Sequence, residues 1–129
     1  MTGDTYTLNV SEPFVAQHFL TVPDPGPEGD LHSHQYEVEV ELEAESLNEW
    51  GYLVDIDAVT ATIDDLVERY RDATLNELPE FGDDNPSVER FTRLFCERFL
   101  DQIPTDRLTS VTVRIHEDDI AWAAYERTI

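Results

Sequence analysis

The chain has 129 residues, 29 of them acidic and 8 basic, for a net charge of −21. All eight basic residues are arginines, which excludes a Schiff-base or Walker lysine, and no basic stripe exists to neutralise nucleic-acid phosphates. No apolar run approaches 18 residues, no signal peptide opens the chain, and the lone cysteine, Cys96, excludes an intrachain disulfide; the expectation is one cytoplasmic domain over 1–129 with no membrane or nucleic-acid partner. Residues 5–20 read as a strand, with an irregularity expected at Pro13. Residues 21–30, with three prolines and two glycines, read as a loop. Leu31 to Ser46 is a long strand, and the two strands should pair as an antiparallel hairpin with the loop beside their joined ends. Residues 57–71 carry Val59, Ile63, Leu66, Val67 and Tyr70 at helical spacing. Asn85 has the character of an N-cap, with Pro86 at the first helical position. Val88, Phe91, Phe95 and Phe99 form the stripe of a second helix, which also holds Cys96. Leu108 to Ile115 is a third strand, and a turn at Asp118-Asp119 leads to a fourth, Ala121 to Thr128. The order ββααββ predicts an α+β fold: a four-stranded antiparallel sheet with two helices on one face.

Apolar residues make up 40% of the chain and thirteen are aromatic, so it carries enough to fold despite its charge. An acidic, lysine-free, folded composition points to adaptation to high salt. At molar salt the Debye length is about 3 Å and self-repulsion is screened.

The chemistry concentrates in histidine. Tyr36, Val38, Val40 and Leu42 alternate with Glu37, Glu39, Glu41 and Glu43, and residues two apart in a strand share a face. His32 and His34 therefore sit on the apolar face at the start of their strand. The run Phe14, Ala16, His18 delivers a third imidazole in the same way. An HxH pair by itself also fits a partly buried polar patch. Three imidazoles with an open fourth position match a catalytic zinc site. Zinc is favoured because no thiolate or carboxylate stands at fixed spacing, although copper, nickel and iron also accept imidazole.

Several motifs, in order, resemble the 6-pyruvoyl-tetrahydropterin synthase / 6-carboxytetrahydropterin synthase family. They are Phe14-Val15-Ala16-Gln17-His18, Leu31-His32-Ser33-His34-Gln35-Tyr36 (with serine where the family has glycine), Gly51 to Ile56 around Asp55, Leu75-Asn76, Asn85-Pro86-Ser87-Val88-Glu89, and Val113 to Glu117 followed by Tyr125. The resemblance covers nearly the whole chain. It implies the tunnelling fold (T-fold) and a ring-shaped homo-oligomer, usually a hexamer of two stacked trimers with active sites between subunits. It also implies zinc on His18, His32 and His34, and a pterin substrate such as 7,8-dihydroneopterin triphosphate. Glu117 matches the glutamate that anchors the pterin ring. A carboxylate suits that role because it accepts two hydrogen bonds from the amino group and ring N–H.

The chain also departs from the family. The family's proton-abstracting cysteine lies four residues before the HxH motif, where this chain has Glu28. Some members carry glutamate there and are associated with cleaving dihydroneopterin to the 6-hydroxymethyl pterin. The Asp-His pair before Leu75-Asn76 is reduced to Asp72, with no histidine following. His116, beside Glu117 in a strand, should face the other way. The arginine common after the first zinc histidine is replaced by Phe19. Glu28 and Asp72 are thus the candidate catalytic residues. Three functions follow: a zinc-dependent pterin lyase, a catalytically weak pterin-binding protein lacking the cysteine and the Asp-His pair, and a structural metal site in an oligomer.

Overall fold

The computed structural model describes residues 3–129, so the first two residues of the predicted domain lie outside the described ones. Strands β1 (Tyr6–His18) and β2 (His32–Ala44) form the expected antiparallel hairpin, in unbroken register from Tyr6 opposite Ala44 to His18 opposite His32. Helices α1 (Ile56–Tyr70) and α2 (Val88–Leu100) follow, then β3 (Ser110–Glu117) and β4 (Ala121–Thr128). The strands lie in the order β1-β2-β3-β4, every pair antiparallel. Among the described residues no helix is long and apolar enough to cross a membrane.

The alternation that predicted the strands also decides the layers. Tyr36, Val38, Val40, Leu42 and Ala44 are buried under the helices, together with Val111, Val113 and Ile115 of β3. Glu37, Glu39, Glu41 and Glu43 occupy the opposite face, where Arg114 lies 3.2 Å from Glu41. Acidic residues thus stay on the wetted side of the sheet, and both helices cover the apolar side.

Phe91 of α2 sits at the centre of the core. Its ring meets Phe14 at 6.0 Å, Tyr36 at 5.5 Å, Tyr70 at 4.9 Å and Phe81 at 5.8 Å between centroids. Its removal leaves a cavity walled by rings that belong to four different segments. Phe91→Ala should cost about 3–5 kcal/mol, read from urea unfolding at constant high salt; a loss below about 1 kcal/mol would mean this cluster is not the centre of the core.

Two expectations are corrected and one is refined. The strand runs through Pro13 without irregularity, because β1 is an edge strand, where a missing N–H is tolerated. The loop 21–30 contains a 3-10 turn over Gly26–Gly29. The N-cap of α2 is Ser87, whose hydroxyl accepts from Arg90 N at 3.2 Å, and Asn85 is not the cap. The Asn85 side-chain oxygen, Oδ1, instead accepts from Thr21 N at 2.8 Å, so this residue ties the chain beyond β1 to the start of α2.

Candidate metal centre

The hairpin register places His18 directly opposite His32, with His34 two residues further along β2 on the same face. Directly opposed side chains in an antiparallel pair are near neighbours. The three rings accordingly cluster at centroid separations of 4.7, 5.0 and 4.8 Å. One ring nitrogen from each lies within 4.8 Å of the other two. His18 is 2% exposed, closed over by the start of α2. Burial lowers its pKa, with the other two imidazoles adding to the effect, so it is held in the neutral form a metal requires.

The other nitrogens decide where the lone pairs point. His18 Nδ1 is 2.9 Å from Pro86 O, and His32 Nδ1 is 2.8 Å from Asp30 O. A carbonyl oxygen only accepts, so each of these Nδ1 atoms carries the proton. His34 Nδ1 donates in the same way to the Asp118 carboxylate at 2.6 Å. A neutral ring protonated at Nδ1 has its lone pair on Nε2. The Nε2 atoms of His32 and His34 are buried with no hydrogen-bond partner. Buried polar atoms left orphaned in the middle of a histidine cluster are what an ion would satisfy. The donor set of three imidazoles, each held through its second nitrogen, fits zinc.

Two carboxylates face this cluster. Glu117 ends β3 opposite Tyr36, on the histidine side of the sheet, and its Oε1 lies 3.6 Å from His34 Nε2. Burial raises the Glu117 pKa, the neighbouring His34 opposes that rise, and Glu28 adds to it. Glu28 lines one cleft with His18, Leu20, Glu117 and the start of α2. The loop that carries Glu28 is built for this placement. Gly26 turns the chain at φ 67°, and a side chain at Gly29 would meet the Pro25 ring at 2.7 Å. Leu20 N then donates to Glu28 O at 2.8 Å and fastens the turn to the end of β1. Asn76 supports the same end with two bonds, accepting from Phe19 N and donating to Phe19 O, both at 2.9 Å.

The remaining sequence candidates lie elsewhere. Asp72 is not in the cleft. It adopts φ 59° at the edge of the sheet, donates its backbone N–H to Val15 O at 2.7 Å, and lines a shallow depression with Pro13, Val15 and Gln35. One chain therefore does not bring Asp72 to Glu28. His116 points to the opposite face, as expected, with Nε2 2.9 Å from Glu39. Cys96 is fully buried in α2 and its thiol is pushed up to about 11 by burial, so it does not replace the missing cysteine. The sequence alone did not single out Asp118, the clamping role of Asn76, or the Pro86 carbonyl. The one available signal for Asp118 was its place immediately after Glu117.

From residue 7 to residue 128 the chain matches the family model described as 6-pyruvoyl tetrahydropterin synthase. The chain belongs to that family. Its architecture, the antiparallel sheet with two helices on one face, is the tunnelling fold of the 6-pyruvoyl tetrahydropterin synthase family. The structure of Caenorhabditis elegans 6-pyruvoyl tetrahydropterin synthase superposes with a TM-score of 0.84 at 18% identity, covering 99% of each chain. The Plasmodium falciparum synthase gives 0.82 at 13% identity, over 98% of this chain and 100% of that one. A Plasmodium vivax 6-pyruvoyltetrahydropterin synthase gives 0.82 at 16% identity, over 98% of this chain and 99% of that one. That protein carries alanine in place of a glutamate described as a catalytic residue. At such identities these likenesses speak for the fold. No curated protein matches the chain in sequence.

Proposed function

We propose that this protein is a zinc-dependent lyase of the 6-pyruvoyl tetrahydropterin synthase type, acting on 7,8-dihydroneopterin triphosphate or a related dihydropterin. The observation that carries the reading is the convergence of His18, His32 and His34, with the Nε2 atoms of His32 and His34 orphaned, where Glu117 and Glu28 share a cleft with His18. His18, His32 and His34 would hold the ion, which when bound polarises a substrate hydroxyl and lowers its pKa.

The chain's own residues supply the rest. Glu117 accepts hydrogen bonds from the pterin amino group and ring N–H, and so orients the side-chain carbons towards the histidines. Glu28 takes or returns the proton on those carbons; its place in the cleft and the catalytic glutamate of the P. vivax synthase support that role. The 3-10 turn and the Leu20–Glu28 backbone bond fix the stretch of chain from which the carboxylate reaches into the cleft.

Asp72 enters the proposal through assembly. The ring of subunits, two stacked trimers with sites between chains, would bring the edge carrying Asp72 to a neighbour's cleft. Edge strands β1 and β4 are open to such pairing, and Tyr6, Ile120, Trp122 and Ile129 leave apolar surface exposed beside them. The acidic composition supports function at high salt, where the repulsion among like subunits is screened.

The second reading is a pterin-binding protein of weak activity. It is favoured by the position of Asp72, away from the cleft within one chain and with no histidine beside it. A turnover assay separates the two. Zinc-loaded protein in molar salt is incubated with 7,8-dihydroneopterin triphosphate, and separately with dihydroneopterin, and products are resolved chromatographically. Elimination of triphosphate from the first identifies a synthase-type lyase, and a 6-hydroxymethyl pterin from the second identifies the side-chain-cleaving variant. Bound pterin with neither product leaves the binding protein.

A further inference from the structure

The three histidines are not aimed in the same way. His18 and His32 each give their Nδ1 proton to a backbone carbonyl, of Pro86 and Asp30. No substitution of a neighbouring side chain removes those acceptors. His34 alone gives its Nδ1 proton to a side chain, that of Asp118, at 2.6 Å.

We infer that Asp118 is the positioning residue of the metal centre: it sets the tautomer and orientation of His34, and with them the affinity of the site. This inference rests on the proposed metal centre and names the residue on which that centre depends. His34 lies between two carboxylates, Asp118 at Nδ1 and Glu117, 3.6 Å from Nε2. A neutral imidazole has one proton to place. With Asp118 present the short bond keeps that proton on Nδ1 and leaves the Nε2 lone pair bare. Without Asp118 the carboxylate left beside the ring is Glu117, which draws the proton to Nε2 and blocks the coordinating atom.

The turn is shaped for this role. Asp118 adopts φ 53°, a left-handed conformation that aspartate, asparagine and glycine tolerate. Its backbone N–H donates to Gln35 O at 2.8 Å, and its Oδ1 accepts from Gln35 N at 2.9 Å. The end of β3 is thereby tied to β2 at the residue next to His34. With Oδ1 and Oδ2 each receiving one donor, the carboxylate is matched to its two partners. An asparagine amide offers one oxygen to the same two donors, and its NH₂ group opposes the other.

Two variants and two readouts test the assignment. Asp118→Gly keeps the left-handed turn and deletes the carboxylate; Asp118→Asn keeps the size and removes one acceptor. Zinc affinity is measured by competition with a chromophoric chelator in high salt. The tautomer of His34 is read in the metal-free protein from long-range ¹H–¹⁵N spectra. Asp118→Gly should bind zinc about 10–100-fold more weakly, with the His34 proton moved from Nδ1 towards Nε2 and the metal-free protein still folded, its melting temperature lowered only by the loss of the carboxylate's bonds to Gln35 and His34. Asp118→Asn should fall between Asp118→Gly and wild type. Wild-type zinc affinity in both variants overturns the inference, as does a weakened affinity accompanied by an unmoved His34 proton. A wild-type protein that takes up no zinc removes the metal centre as well, which distinguishes failure of that reading from failure of this one.

Discussion

Glu28→Gln should lower turnover by roughly 10²–10⁴-fold, the usual contribution of a positioned acid or base, while zinc content and pterin binding stay near wild type. The substitution keeps the size and hydrogen-bonding reach of the side chain and removes its ability to accept a proton. Glu28 is well suited to show a clean effect. Its backbone is fixed by the bond from Leu20 N and by the 3-10 turn, neither of which involves the carboxylate. The side chain is exposed in the cleft, and among the described residues no hydrogen bond runs through it. Loss of activity with an intact fold would thus report on chemistry. The measurement is single-turnover product formation by the zinc-loaded variant, with melting temperature and bound zinc as controls. Turnover within about threefold of wild type would remove Glu28 as the acid or base and shift the search to a residue from a neighbouring subunit.

His32→Ala should abolish zinc binding and with it the stabilisation that zinc confers. Ligand that binds only the native state stabilises by mass action, about 2.7 kcal/mol at a zinc concentration of roughly 100 times Kd. For a chain of this length that corresponds to a rise in melting temperature on the order of 10 °C. Wild-type protein should show the rise on adding zinc, and the His32→Ala variant should show none. His32 is the most informative of the three to remove. Unlike His18 it is only partly buried, and its Nδ1 bond to Asp30 O belongs to the loop and not to the core. His18, in contrast, is buried under the start of α2 and bonded to Pro86 O, so its loss would also disturb packing. An equal zinc-induced shift in wild type and His32→Ala would place the ion somewhere other than this cluster.

The two variants separate site from reaction. His32→Ala asks whether the metal is held by this cluster, and Glu28→Gln asks whether the proton is moved by this loop. A protein that loses zinc in the first case and keeps its low activity in the second would be the pterin-binding protein of the alternative reading. One that responds to both would be the lyase.

Much of this was legible before any coordinates. Period-two alternation places Tyr36 and Val38 on one face and Glu37 and Glu39 on the other, because successive side chains in a strand must diverge. His32 and His34 follow from the same rule, and a hairpin across residues 21–30 brings His18 to them. The apolar stripe through Phe91, Phe95 and Phe99 marked a helix that needed a partner surface. Asn85 shows where such reading stops. Its residue type and the following proline are right for a cap, and Ser87 caps the helix instead, because Asn85 is drawn to Thr21, 64 residues away along the chain.

The sequence by itself determined the elements, the faces of the strands and the identity of the three imidazoles, since these depend on local periodicity. Tertiary structure alone decided which ring nitrogen of each histidine is free, where Glu28 and Asp72 stand, and that Asp118 serves His34. The acceptors concerned, Pro86 O for His18 and Asp118 for His34, lie 68 and 84 residues away along the chain. No local pattern encodes a hydrogen bond over such a distance; it exists only once the sheet has brought the end of β3 beside the start of β2, and α2 has closed over the end of β1.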